Sequence, residues 1–214
     1  MRIAKEQLIL YHADHQAAGE TESFSTGSVS RGSASTGTAV CEQLATMLTE
    51  LGFIGKPLPQ FGSHLYQTGE AFFDHLVYLG CSPVVHFAGD AEADEPPPTC
   101  VAIDAGTKLV YGSNTVAPRC GHCKNALHGW TESLHAAEHE PAVVCSHCMT
   151  PAALSSLNWR KRAALGSSFV KVHGVFPHEA VPGETLLTRL QALTGDAWRY
   201  SYVQQPVVIA LDEI

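Results

Sequence analysis

Two four-residue segments, Cys120-Gly121-His122-Cys123 and Cys145-Ser146-His147-Cys148, stand 21 residues apart and govern how the rest of the chain is read. One Cys-x-x-Cys pair alone could be a redox dithiol. Two pairs bring four thiolates to one point, which a tetrahedral d¹⁰ ion such as Zn²⁺ requires and a disulfide framework does not. The expected metal ligands are therefore Cys120, Cys123, Cys145 and Cys148, with Zn²⁺ as cofactor. A site closed by four cysteines leaves no position for water or substrate, so its expected role is structural.

Those two knuckles resemble the zinc-ribbon class, a resemblance that covers 29 of 214 residues. The commonest form of that class has Pro after the first Cys of a knuckle and Gly after the second. Here Gly121 and Ser146 hold the former places, and Lys124 and Met149 the latter. The small loop residues still let backbone N–H groups turn toward sulfur. The class spans RNA polymerase subunits, ribosomal proteins and nickel chaperones for hydrogenase, so the resemblance implies a ribbon and leaves the activity open.

Between the knuckles lies His135-Ala136-Ala137-Glu138-His139, an H-x-x-E-H that over these five residues resembles the inverted zinc peptidases. His135, Glu138 and His139 are thus candidate ligands for a second metal. A catalytic zinc needs a third protein ligand, and Glu179 and Glu184 downstream have no matching context. No catalytic residue is assigned, and the chain reads as a non-enzyme more readily than as a hydrolase. His122, His128, His135, His139 and His147 around the thiolates would also suit an exchangeable site for zinc, nickel or copper, or simply a wet surface.

Downstream, Asn158-Trp159-Arg160-Lys161-Arg162 is the one dense basic cluster. With Lys124 it supplies candidate nucleic-acid contacts: Lys124, Arg160, Lys161 and Arg162 for phosphate, Trp159 for stacking. A net charge of −8, from 13 Lys+Arg against 21 Asp+Glu, disfavours that partner and leaves a protein partner as the leading expectation. Cys41, Cys81 and Cys100 bring the cysteines to an odd seven, as in a reducing cytoplasm. The first residues do not read as a signal peptide, and no apolar run is long enough for a membrane span.

The expected fold is α+β or α/β, helices packed on a mixed β-sheet, with the ribbon inserted. Residues 1–114 form an N-terminal portion, 115–150 the ribbon and 151–214 a C-terminal helix plus β-α-β, or all three form one compact domain. In chain order, Ile3 to Tyr11 leans to helix, and the Gly/Ser-rich run at 18–38 reads as a mobile loop. That run lacks the Lys of a phosphate-binding P-loop. Thr38 is placed as N-cap of a helix carrying Val40, Leu44, Met47, Leu48 and Leu51, with Gly52 ending it. A second helix is expected over Gly69–Leu79, an edge strand over Cys81–Phe87, and a hairpin joining Cys100–Asp104 to Lys108–Tyr111 through Gly106. Thr150-Pro151 reads as a helix start for Ala152–Leu165. Strands over Ser168–Phe176, Trp198–Val203 and Val207–Leu211 then flank a helix over Pro182–Thr194.

Overall fold

Gln7 and the apolar Leu8, Ile9 and Leu10 are all buried, a run that favours no single face and so has neither the 3.6 nor the 2.0 period. In the computed structural model, which describes residues 5–12, 34–80, 97–132 and 142–211, this run is a strand, β1 (Glu6–His12), and not the helix expected there. Leu8 and Leu10 join one hydrophobic cluster and Ile9 another, so both sides of the strand are covered.

Helix α1 (Ala34–Glu50) follows, starting four residues before Thr38, which therefore lies within it and does not cap it. Its buried residues Cys41, Leu44, Met47 and Leu48 fall at the expected three- and four-residue steps. Gly52, at φ 64°, turns the chain into β2 (Ile54–Pro57) and β3 (Leu65–Thr68). The helix expected over Gly69–Leu79 is instead a single 3₁₀ turn, Phe72–His75, followed by β4 (Leu76–Tyr78). The expected edge strand over Cys81–Phe87 lies outside the described residues.

One uninterrupted strand, β5 (Cys100–Tyr111), replaces the expected hairpin. Its pairing shifts between Ala105 and Lys108, where one extra residue opposes Ser168 to Gly166. Gly106, at φ 105°, absorbs it as a bulge rather than a reversal. β6 (Ala142–Val144) and β7 (Pro151–Ala153) pair with each other. Pro151 therefore opens a strand and not a helix; a 3₁₀ turn at Leu154–Ser156 then leads to β8 (Ala163–His173). The last elements are β9 (Ala180–Pro182), α2 (Glu184–Thr194), β10 (Trp198–Gln204) and β11 (Val207–Ala210), close to the sequence reading.

Seven strands form the main sheet in the order β10-β1-β8-β5-β3-β2, with β11 on β5. Every strand pairing among the described residues is antiparallel, so the sheet is not mixed and the α/β alternative falls, leaving a predominantly β α+β chain. The main core gathers Leu8, Leu10, Val101, Ile103, Val170 and Val172 of the sheet with Leu44 and Leu48 of α1 and Leu186 and Leu190 of α2. A second cluster joins the sheet residues Leu109 and Ala163 to the cysteine region. No helix among the described residues is long and apolar enough to cross a membrane.

Candidate metal centre

Each knuckle sits at the tip of a short antiparallel frame, the first bracketed by the Arg119–Ala126 bridge and the second by β6 and β7. The backbone repeats between them. The first Cys donates its N–H to the carbonyl five residues on, Cys120 to Asn125 at 2.8 Å and Cys145 to Thr150 at 3.1 Å. The residue after the second Cys returns its N–H to the first Cys carbonyl, Lys124 at 3.1 Å and Met149 at 2.8 Å. That closure puts Lys124 at φ 64° and Met149 at φ 59°, in the left-handed region where glycine is at ease.

The four sulfurs converge across the two loops. Cys120 Sγ lies 3.7 Å from Cys148 Sγ, and Cys123 Sγ 3.6 Å from Cys145 Sγ, with all four within 4.8 Å of one another. Metal–sulfur bonds of about 2.3 Å in a tetrahedron put sulfurs roughly 3.8 Å apart. A disulfide needs about 2.0 Å. The spacing therefore suits a tetrahedral ion and excludes a bridge in this arrangement. Among the described residues this is the one cluster of three or more His, Cys, Asp or Glu side chains that could hold a metal ion.

Donors surround the sulfurs. Backbone N–H groups of Cys123 and His122 lower the Cys120 thiol below its ordinary pKa. The Thr150 hydroxyl, 3.4 Å from Cys148 Sγ, and the Thr150 backbone N–H hold that thiol down at about 5. The Asn125 backbone N–H also lowers Cys123, but burial and the neighbouring cysteine sulfurs outweigh it and push Cys123 to about 11. Four thiols this close resist full ionisation together unless a cation joins them. Asn125 was not singled out in the sequence and Thr150 only as a helix start, yet each stands two residues after the second Cys of its knuckle, and the Asn125 side-chain amide also lies 3.6 Å from Cys123 Sγ.

The centre is packed onto the main sheet through aromatic rings. Trp130 meets Tyr111 of β5 and Trp159 edge-on, both with ring centroids 5.0 Å apart. Trp159 is 7% exposed and donates its indole N–H to the Leu154 carbonyl at 3.3 Å, so its ring is not offered to a base for stacking. The basic residues beside it lie in a tight turn and not on a helix: Arg162 N–H returns to the Trp159 carbonyl over Arg160 and Lys161, both at positive φ. The Lys161 ammonium sits on Tyr200, and the Arg162 guanidinium donates to the Asn114 carbonyl at 3.2 Å. Arg160 is exposed. The Lys124 ammonium is exposed and donates to the Gly121 carbonyl at 2.6 Å.

His135, Glu138 and His139, the candidate second metal set, lie outside the described residues. His122, His128 and His147 are exposed. No family model, curated protein or solved structure matches this chain, so the arrangement of its four thiols is what bears on function.

Proposed function

We propose that the chain is a zinc-ribbon protein whose four-cysteine Zn²⁺ site is structural, and that it serves in the cytoplasm as a binding or accessory protein for a protein partner. The convergence of four Sγ atoms within 4.8 Å carries this reading. Four thiolates fill a tetrahedral ion and leave it no open position for substrate, which favours a structural over a catalytic role. When bound, the ion would be held by Cys120, Cys123, Cys145 and Cys148 and would tie the two knuckles together. Zinc is preferred over redox-active ions because soft thiolates in a tetrahedral set suit it.

Residues 115–150 act in this proposal as the ribbon, while 1–114 and 151–214 form one unit in which α1 and α2 cover a face of the sheet. The position of β1 between β8 and β10 supports treating those two segments together. Cys41 and Cys100 are buried free cysteines, which supports a reducing compartment where thiols stay unpaired. A protein partner is favoured over nucleic acid by the net charge of −8 and by the inward packing of Trp159.

Elemental analysis of untagged protein before and after mild chelation tests the proposal. One zinc per chain that survives mild chelation is expected, lost in Cys120→Ser or Cys145→Ser. A second, easily stripped metal would favour metal handling through His135 and His139 instead. Binding to single-stranded nucleic acid that falls steeply with salt would replace the protein partner with a nucleic-acid one.

A further inference from the structure

A second constellation lies apart from the cysteines in sequence and in residues. His12 ends β1, Ser167 lies in β8 next to Ser168, the cross-strand partner of His12, and Asp196 follows α2. The imidazole bridges the other two. His12 Nδ1 is 3.3 Å from Ser167 Oγ, and Nε2 is 3.2 Å from Asp196 Oδ2. With Nε2–H donated to the carboxylate, the Nδ1 lone pair faces the hydroxyl, which is the tautomer a general base needs.

The backbone brings these groups close for a steric reason. A Cβ on Gly166 would stand 2.2 Å from the His12 carbonyl oxygen, so only glycine lets β8 approach there and present the next hydroxyl to the ring. The His12 side chain is 12% exposed and its ring lies 6.1 Å from that of Trp198. His12 and Ser167 line a cavity of about 270 Å³. Val40, Leu44 and Leu193 give it an apolar wall, and Gln43 also lines it. That volume accommodates a short acyl chain.

We propose that Ser167 is an acyl-accepting nucleophile, His12 its general base and Asp196 the residue that positions His12, in a site for short-chain carboxylic esters. Ser167 Oγ bonds to the carbonyl carbon as its proton passes to His12 Nδ1, and Asp196 stabilises the imidazolium through Nε2–H. The C–O bond to the alcohol breaks, its electron pair leaves with the alkoxide oxygen, and Nδ1 returns the proton to that oxygen. Water, deprotonated by His12, then cleaves the acyl-serine to release the carboxylic acid and restore Ser167. Ester and water thus give acid and alcohol, with no other reactant. Nothing in this site depends on the metal reading above.

The test uses the full-length, metal-loaded protein. An alkyl fluorophosphonate is expected to leave its adduct on Ser167, mapped by peptide mass spectrometry. Hydrolysis of p-nitrophenyl butyrate is expected to exceed that of the palmitate ester and to fall by at least about 100-fold in Ser167→Ala and His12→Gln. Asp196→Asn is expected to lower kcat while leaving KM in place. An unlabelled Ser167, or a butyrate rate untouched in a folded Ser167→Ala, overturns the proposal. Because the adduct is read on the unmutated chain, a variant that fails to fold does not leave the question open.

Discussion

Met149 shows what one residue contributes to the metal centre. Its backbone must turn left-handed so that its N–H can reach the Cys145 carbonyl at 2.8 Å, and a side chain makes that turn costly. The side chain is 70% exposed, so little packing offsets the strain. Met149→Gly is therefore expected to stabilise the loaded protein by about 1 kcal/mol, read as a slower release of metal to a chromogenic chelator. A faster release would show that the thioether contributes more than the strain removes. Lys124 occupies the matching place, but its ammonium bond to Gly121 makes the same substitution there a less direct test.

At the level of elements, the long strands β5 and β8 are clasped by Asp104, whose oxygens meet Lys108 at 2.5 Å and Lys171 at 2.8 Å. Burial alone would raise the Asp104 pKa, but the hydrogen bonds from Lys108 and Lys171 outweigh it and leave the carboxyl below its usual value. A lowered folded pKa means stabilisation that is fully present above the ordinary Asp value, near pH 4, and is lost as pH falls through the folded one. Asp104→Asn should cost about 2 kcal/mol in urea denaturation at pH 7, with the difference from the unmutated chain shrinking below pH 4. A difference that holds constant down to pH 2 would remove the ion pairs as its cause. The elements themselves were unequally legible. α1, α2 and the last strands could be read because the helices bury one face and the closing strands alternate or are bounded by turns. β1 could not, since an element covered on both sides has no period. Thr150-Pro151 misled for a chemical reason: the Thr150 hydroxyl serves Cys148 sulfur and its carbonyl serves Cys145, so neither caps a helix. The four cysteines were legible from spacing alone, whereas the contacts of Trp130 with Tyr111 and Trp159 follow from tertiary packing that no local pattern encodes.

Across the whole molecule, the core under α1 and α2 and the core around the cysteines are separate clusters that meet along β5 and β8. Chelation should accordingly loosen one and spare the other. On metal removal, Trp130 and Trp159 emission is expected to shift to the red while most far-UV strand signal persists, and loss of both together would make the metal a condition for the entire fold. The placement of β1 has a further meaning in time. Gln7 meets His173, 166 residues later, so a ribosome extending the chain at roughly 5–20 residues per second holds β1 without its neighbours for about ten seconds or more. The two knuckles lie only 21 residues apart and can close around an ion as soon as Cys148 emerges. Metal capture can therefore precede sheet closure during synthesis, and the supply of the ion would act on the nascent chain before its slowest, most distant pairing begins.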